Sequence, residues 1–144
     1  MNYSLSKGFS LIELMIAVVI VAILAKMAYP SYKENINSTK RTDAKGALDM
    51  LAGKMEEYHA TKYTFKGLAT GGADTGTPLL VSPTKSPIDG SNTYYNLTIT
   101  TADDNSYLLT ATPVGDLASD GTLTRASTGQ KCWYKNNSAT CTPM

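Results

Sequence analysis

Hydrophobic residues run almost without a break from Phe9 to Ala25, seventeen positions in which only Ser10 and Glu13 are polar. As a helix this run is about 25 Å long, the lower end of what crosses a bilayer. Beyond Pro30 the pattern changes. Ala44, Ala47, Leu48, Leu51, Met55 and Tyr58 recur every three or four residues and mark one face of a helix, whereas Lys40, Arg41, Lys45, Lys54, Glu56 and Glu57 fall mostly elsewhere. The pattern predicts one helix from Phe9 to about His59, apolar all round in its first half and striped in its second. Pro30 removes a backbone donor and crowds the preceding turn, so a kink or local break is expected near Met27–Pro30.

Residues 61–92, with the run GLATGGADTGTP, lack periodicity and read as a long αβ loop, with Leu79, Leu80 and Val81 as a short strand or a plug over the core. From residue 93 the period becomes two. Tyr95, Leu97 and Ile99 alternate against Tyr94, Asn96 and Thr98, and Leu109 and Ala111 against Leu108 and Thr110. These runs form a hairpin, followed by GTLTRAS with Leu123 inward and GQKCWYK with Trp133. The expected fold class is α+β, the striped half-helix (30–60) covering one face of a three- to four-stranded antiparallel sheet (93–144).

Charge changes this picture little. The net charge is +1 from 13 basic and 12 acidic residues, and no strong field for nucleic acid or acidic lipid follows. The two cysteines, Cys132 and Cys141, lie near the C-terminus. Behind a membrane-targeting N-terminus they read most simply as one disulfide, worth roughly 2.7 kcal/mol for a ten-residue loop on the chain-entropy model. Two free thiols are the alternative. No enzyme, metal or cofactor is expected. His59 stands alone near the helix end, Asp103 and Asp104 sit in a turn, and Gly71-Gly72 lacks the lysine of a phosphate loop.

Glu13 needs an explanation, because a charge inside an apolar span is costly. A cleaved secretory signal fits poorly, since the apolar core is long and no A-x-A pattern follows it. A plain membrane anchor leaves the acid unexplained. The stretch K-G-F-S-L-I-E-L-M resembles the class III signal of type IV pilins and their relatives. That resemblance implies a leader of residues 1–8, cut by a prepilin peptidase between Gly8 and Phe9, with Phe9 then N-methylated. It implies that residues 9–29 form a transmembrane segment that becomes filament core, and that Glu13 registers each subunit by meeting the new amine of a neighbour. Cutting after Gly8 would remove Lys7 and leave the charges balanced at twelve and twelve. Lys26 departs from the family's uniformly apolar segment and would need a carboxylate, a carbonyl or water nearby.

The order SYLLTATP, GTLT, STG-x-KCW further resembles PilE-type minor pilins, a group that includes DNA-uptake pilins. Many relatives place a cysteine beside the GTLT strand, near Asp120, and this chain has none there. The implied fold is the pilin ladle. The implied role is a structural subunit of a type IV pilus, serving pilus assembly, twitching motility and adhesion. It would reside in the inner membrane with its head outside the cytoplasm, then at the cell surface. Its implied partners are other pilins, the prepilin peptidase and the inner-membrane assembly platform, with DNA as a further candidate. For DNA, Lys131, Trp133 and Lys135 interleave bases with an aromatic, and Tyr134, Lys85 and Arg125 could join them. The competing and favoured reading puts Trp133 in the core and the lysines on its rim. A third role, a type II secretion pseudopilin, shares the signal and helix, but the cysteine pair argues mildly against it.

Overall fold

A computed structural model describes residues 8–79 and 81–144. The expected leader, residues 1–8, lies outside the described residues except for Gly8. One helix, α1, runs Leu11–Lys62, and contacts divide the chain between Ile36 and Asn37 into two units.

In the first unit α1 is long and apolar enough to cross a membrane, and every residue from Gly8 to Ile36 is exposed. α1 continues unbroken through Pro30, so the expected local break does not occur. Proline lacks a single N–H, which leaves the carbonyl of Lys26 without its ordinary donor while the helix continues on both sides.

In the second unit α1 buries Arg41, Ala44, Ala47, Leu48, Leu51, Ala52 and Met55. This stripe packs on a six-stranded antiparallel meander, order β1-β2-β3-β4-β5-β6. Its strands are β1 Lys85–Ser86, β2 Tyr95–Ala102, β3 Tyr107–Pro113, β4 Gly121–Ala126, β5 Lys131–Lys135 and β6 Thr142–Pro143. The helix-facing side holds Tyr95, Leu97 and Ile99, Leu109 and Ala111, and Leu123, as the period-two alternation predicts. Thr100 is the extra residue of a bulge in β2, where the register slips between Ile99 and Thr101.

Six strands exceed the three to four expected. The additional ones, β1 and β6, have two residues each, too short for any periodicity to show. The short strand described in this segment is Lys85–Ser86, and of the short strand or plug expected at Leu79, Leu80 and Val81 only Val81 packs on the core among the described residues. Leu79 is exposed, Val81 is partly buried against the core, and Leu80 lies outside the described residues. The segment between α1 and β2 also supplies core. Phe65, Leu68, Ala69 and Pro78 are buried, and Gly76 exchanges backbone hydrogen bonds of 2.9 and 2.8 Å with Ile99.

At the far edge Cys132 and Cys141 form a disulfide with Cα atoms 5.1 Å apart. It ties β6 to β5, where Cys132 faces Pro143 and Trp133 faces Thr142. Replacing both cysteines by serine should lower stability by about 2–3 kcal/mol. It should also expose the amide of Met144, which donates to the Lys131 carbonyl, to hydrogen exchange, while protection in β2 and β3 stays as it was.

Candidate functional site: the helix entry and the Asp120 hub

At the start of α1, Ser10 and Glu13 form a capping box. The Ser10 N–H and Oγ both donate to the Glu13 carboxylate at 3.1 Å, and the Glu13 N–H donates to Ser10 Oγ at 3.3 Å. The acid singled out for registration is therefore also the N3 residue that closes the helix entry. The S-L-I-E spacing carried that signal and the sequence reading missed it. Around this polar knot the side chains of Phe9, Leu11, Ile12 and Leu14 are exposed. Such a surface is stable only against lipid or other apolar helices.

In the head, Asp120 organises the ground beneath Trp133. Its carboxylate accepts from Arg41 at 2.5 Å and from the Tyr95 hydroxyl at 2.8 Å, and its backbone carbonyl accepts from Trp133 Nε1 at 3.2 Å. The Arg41 and Asp120 side chains are only 9% and 7% exposed, so this ion pair is desolvated on both sides. The Arg41 guanidinium also lies over the Trp133 ring, 4.4 Å from its centroid. Burial first, and the Asp120 carboxylate next, push the Tyr95 hydroxyl well above the ordinary tyrosine pKa. The sequence reading set Arg41 among the polar positions. It is in fact on the stripe, three residues before Ala44, a spacing that could have revealed it.

The backbone geometry behind the hub is fixed by Gly121. Its φ is +114°, and a Cβ there would sit 2.2 Å from the Tyr134 carbonyl oxygen. Only glycine lets β4 start this close to β5 while Asp120 turns inward.

The candidate DNA residues lie on β5 but differ in their surroundings. Lys131 Nζ donates to Asp49 at 2.8 Å, and Arg125 from β4 pairs with the same carboxylate. These two bases are tied to the helix and partly neutralised. Trp133 is partly buried against the core. Lys135 is exposed, its ammonium 5.6 Å from the Trp133 ring centroid, with no ion pair among the described residues. Lys85 Nζ donates to the Gly90 carbonyl. His59 stacks on Phe65, with Nε2 3.1 Å from the Asp104 carbonyl oxygen, and the Asp104 carboxylate accepts from Thr64 and Lys66. Both are engaged in holding the helix end to the β2–β3 turn. Among the described residues no cluster of His, Cys, Asp and Glu is arranged to hold a metal.

Comparison with known proteins gives two family matches. Residues 30–138 match the family described as type IV minor pilin ComP, DNA uptake sequence receptor, and residues 3–29 match the prokaryotic N-terminal methylation motif. Fimbrial protein EcpC of Eikenella corrodens is 38% identical over 56 residues, 39% of this chain and 37% of that protein. The type IV major alpha-pilin of Moraxella bovis is 46% identical over 48 residues, 33% and 29% of the two chains. The type IV major fimbrial protein FimA of Dichelobacter nodosus is 48% identical over 48 residues, 33% and 30%. The chain thus spans about a third of the length of the curated relatives it matches. The first of the two matches covers the striped half of α1 and nearly all of the sheet, including the Asp120 hub, and by it this chain belongs to the ComP family of type IV minor pilins.

Proposed function

We propose that this chain is a minor structural subunit of a type IV pilus. It is held in the inner membrane by α1 with its head outside the cytoplasm, cut between Gly8 and Phe9 by a prepilin peptidase, and methylated on Phe9. The assembly platform then moves it into the fibre. The observation that carries this reading is the wholly exposed apolar stretch of α1, which begins at a methylation motif and holds a single acid four residues after Phe9. Inside a bundle of such helices Glu13 is costly alone and favourable beside the amine of a neighbouring subunit, which selects one axial stagger. The chain itself supplies position and surface, and the platform supplies the work. Deleting the gene should reduce piliation and twitching motility. Lost protein secretion with normal pili would instead assign the chain to a secretion pseudopilus.

A second reading is favoured by the family's description as a DNA uptake sequence receptor: the head captures DNA for uptake. In that reading Lys135 is the leading phosphate contact beside Trp133, and Lys131 is secondary because Asp49 already holds it. Fluorescence anisotropy on residues 35–144 with duplex DNA tests this. Lys135→Ala should weaken binding several-fold and flatten its salt dependence, and Lys131→Ala should do less. Equal effects, or no salt-sensitive binding at tens of micromolar, would remove it.

A further inference from the structure

The two faces of the sheet differ in charge. Residues directly opposite one another on neighbouring strands share a face. The side toward α1 carries the core and, at its margin, Arg125 opposite Lys131 and Lys135 opposite Gly121. The other side has a central row of Thr98, Thr110, Thr124 and Cys132, each opposite the next. Toward one end Asn96 stands opposite Thr112, and Thr122 opposite Tyr134. Toward the other end Thr101 stands opposite Leu108, and Leu108 opposite Ala126. None of these positions on the four long strands is charged, and all but Cys132 are exposed or half-buried. Thr100, the bulge residue, bonds its hydroxyl to that of Thr110. The hydroxyls of Thr98, Thr112, Thr122, Thr124 and Tyr134 make no hydrogen bond among the described residues. At the edge, Lys85 of β1 lies opposite Asn96, and its ammonium is held by the Gly90 carbonyl at 3.0 Å.

We propose that this outer face binds an extended, uncharged polysaccharide. Strand preference accounts for the threonines but not for the missing charges, since exposed sheet faces ordinarily intersperse lysines and acids that keep them soluble. The neutrality selects the ligand. A polyanion finds no free cation on the four long strands. A protein partner finds only Leu108 and Tyr134 as large apolar groups, too few for the apolar centre of an interface. Sugar hydroxyls both donate and accept, as threonine hydroxyls do, and the apolar C–H face of a pyranose can rest on Tyr134 or Leu108. Neighbouring strands lie about 4.8 Å apart, so the central row repeats its hydroxyls at about the length of one pyranose in an extended chain. The whole face measures about 14 Å across the strands and about 17 Å along them, room for a few sugar residues. It lies on the side of the sheet away from Lys131, Trp133 and Lys135, so it is independent of both the fibre and the DNA readings.

Saturation-transfer NMR on the full chain, held in a polyoxyethylene detergent that carries no sugar, tests this with cellohexaose as the probe. Saturation should pass to cellohexaose and not to hexagalacturonate, an acidic chain of the same length. Thr98→Val with Thr124→Val removes two hydroxyls that bond nothing in the protein and keeps the strand-forming shape. This pair of changes should weaken binding several-fold and leave the melting temperature unaltered. Lys135→Ala, on the other side of the sheet, should leave cellohexaose binding unchanged. No transfer at millimolar cellohexaose, equal transfer to hexagalacturonate, displacement of the sugar by duplex DNA, or full binding by the double valine variant would each overturn the proposal. None of these results touches the subunit reading.

Discussion

Replacing Asp120 by alanine is expected to lower the unfolding free energy of the head by about 3–5 kcal/mol. The change deprives the buried Arg41 guanidinium of its carboxylate and leaves the Tyr95 hydroxyl, which points to the same group, without its acceptor. Urea unfolding of residues 35–144 would show a lower midpoint with an unchanged slope. Exchanging Arg41 and Asp120 together for apolar residues, Arg41→Met with Asp120→Leu, should recover a large part of the loss, because the penalty lies in a buried guanidinium that loses this carboxylate and the pair itself adds little net stability. A single-site loss below 1 kcal/mol would show that the hub is wetter than its exposure indicates.

Glu13→Ala should leave cleavage after Gly8 nearly intact and reduce recovery of the chain in sheared fibres by tenfold or more. The capping box complicates this change, because alanine also removes the bond from Glu13 back to Ser10, worth about 1 kcal/mol at an exposed helix end. Glu13→Gln separates the two roles. Glutamine keeps the box and loses the charge. If registration depends on charge, Gln and Ala should be equally deficient in fibres by immunogold labelling. If the cap is what matters, Gln should enter fibres normally and only Ala should fail.

Much of this architecture is written in local patterns. The three- and four-residue stripe from Ala44 to Tyr58 and the alternation through β2 and β3 each follow from a periodicity longer than one turn or one pleat, and both packed as their spacing required. What stayed hidden depends on distant partners. Asp120 and Arg41 are 79 positions apart, and nothing near either residue announces the other. Lys131 looked like a free base until Asp49 of α1 was placed against it. β1 and β6 exist only as neighbours of β2 and β5, because two residues carry no pattern of their own. Ser86 is fully buried in β1, where its polarity would argue for surface. Glu13 is conspicuous as an intruder in an apolar run, and its bond to Ser10 is legible as well, in the S-L-I-E spacing of a capping box.

The central claim is that Phe9 becomes the first residue of a chain that leaves the membrane for a fibre. Intact-mass and N-terminal peptide mass spectrometry of the protein from sheared fibres tests it most directly. The account predicts a chain that starts at N-methylated Phe9 and carries the Cys132–Cys141 bond. A chain that still begins at Met1, or one trimmed beyond Ala25, would contradict it.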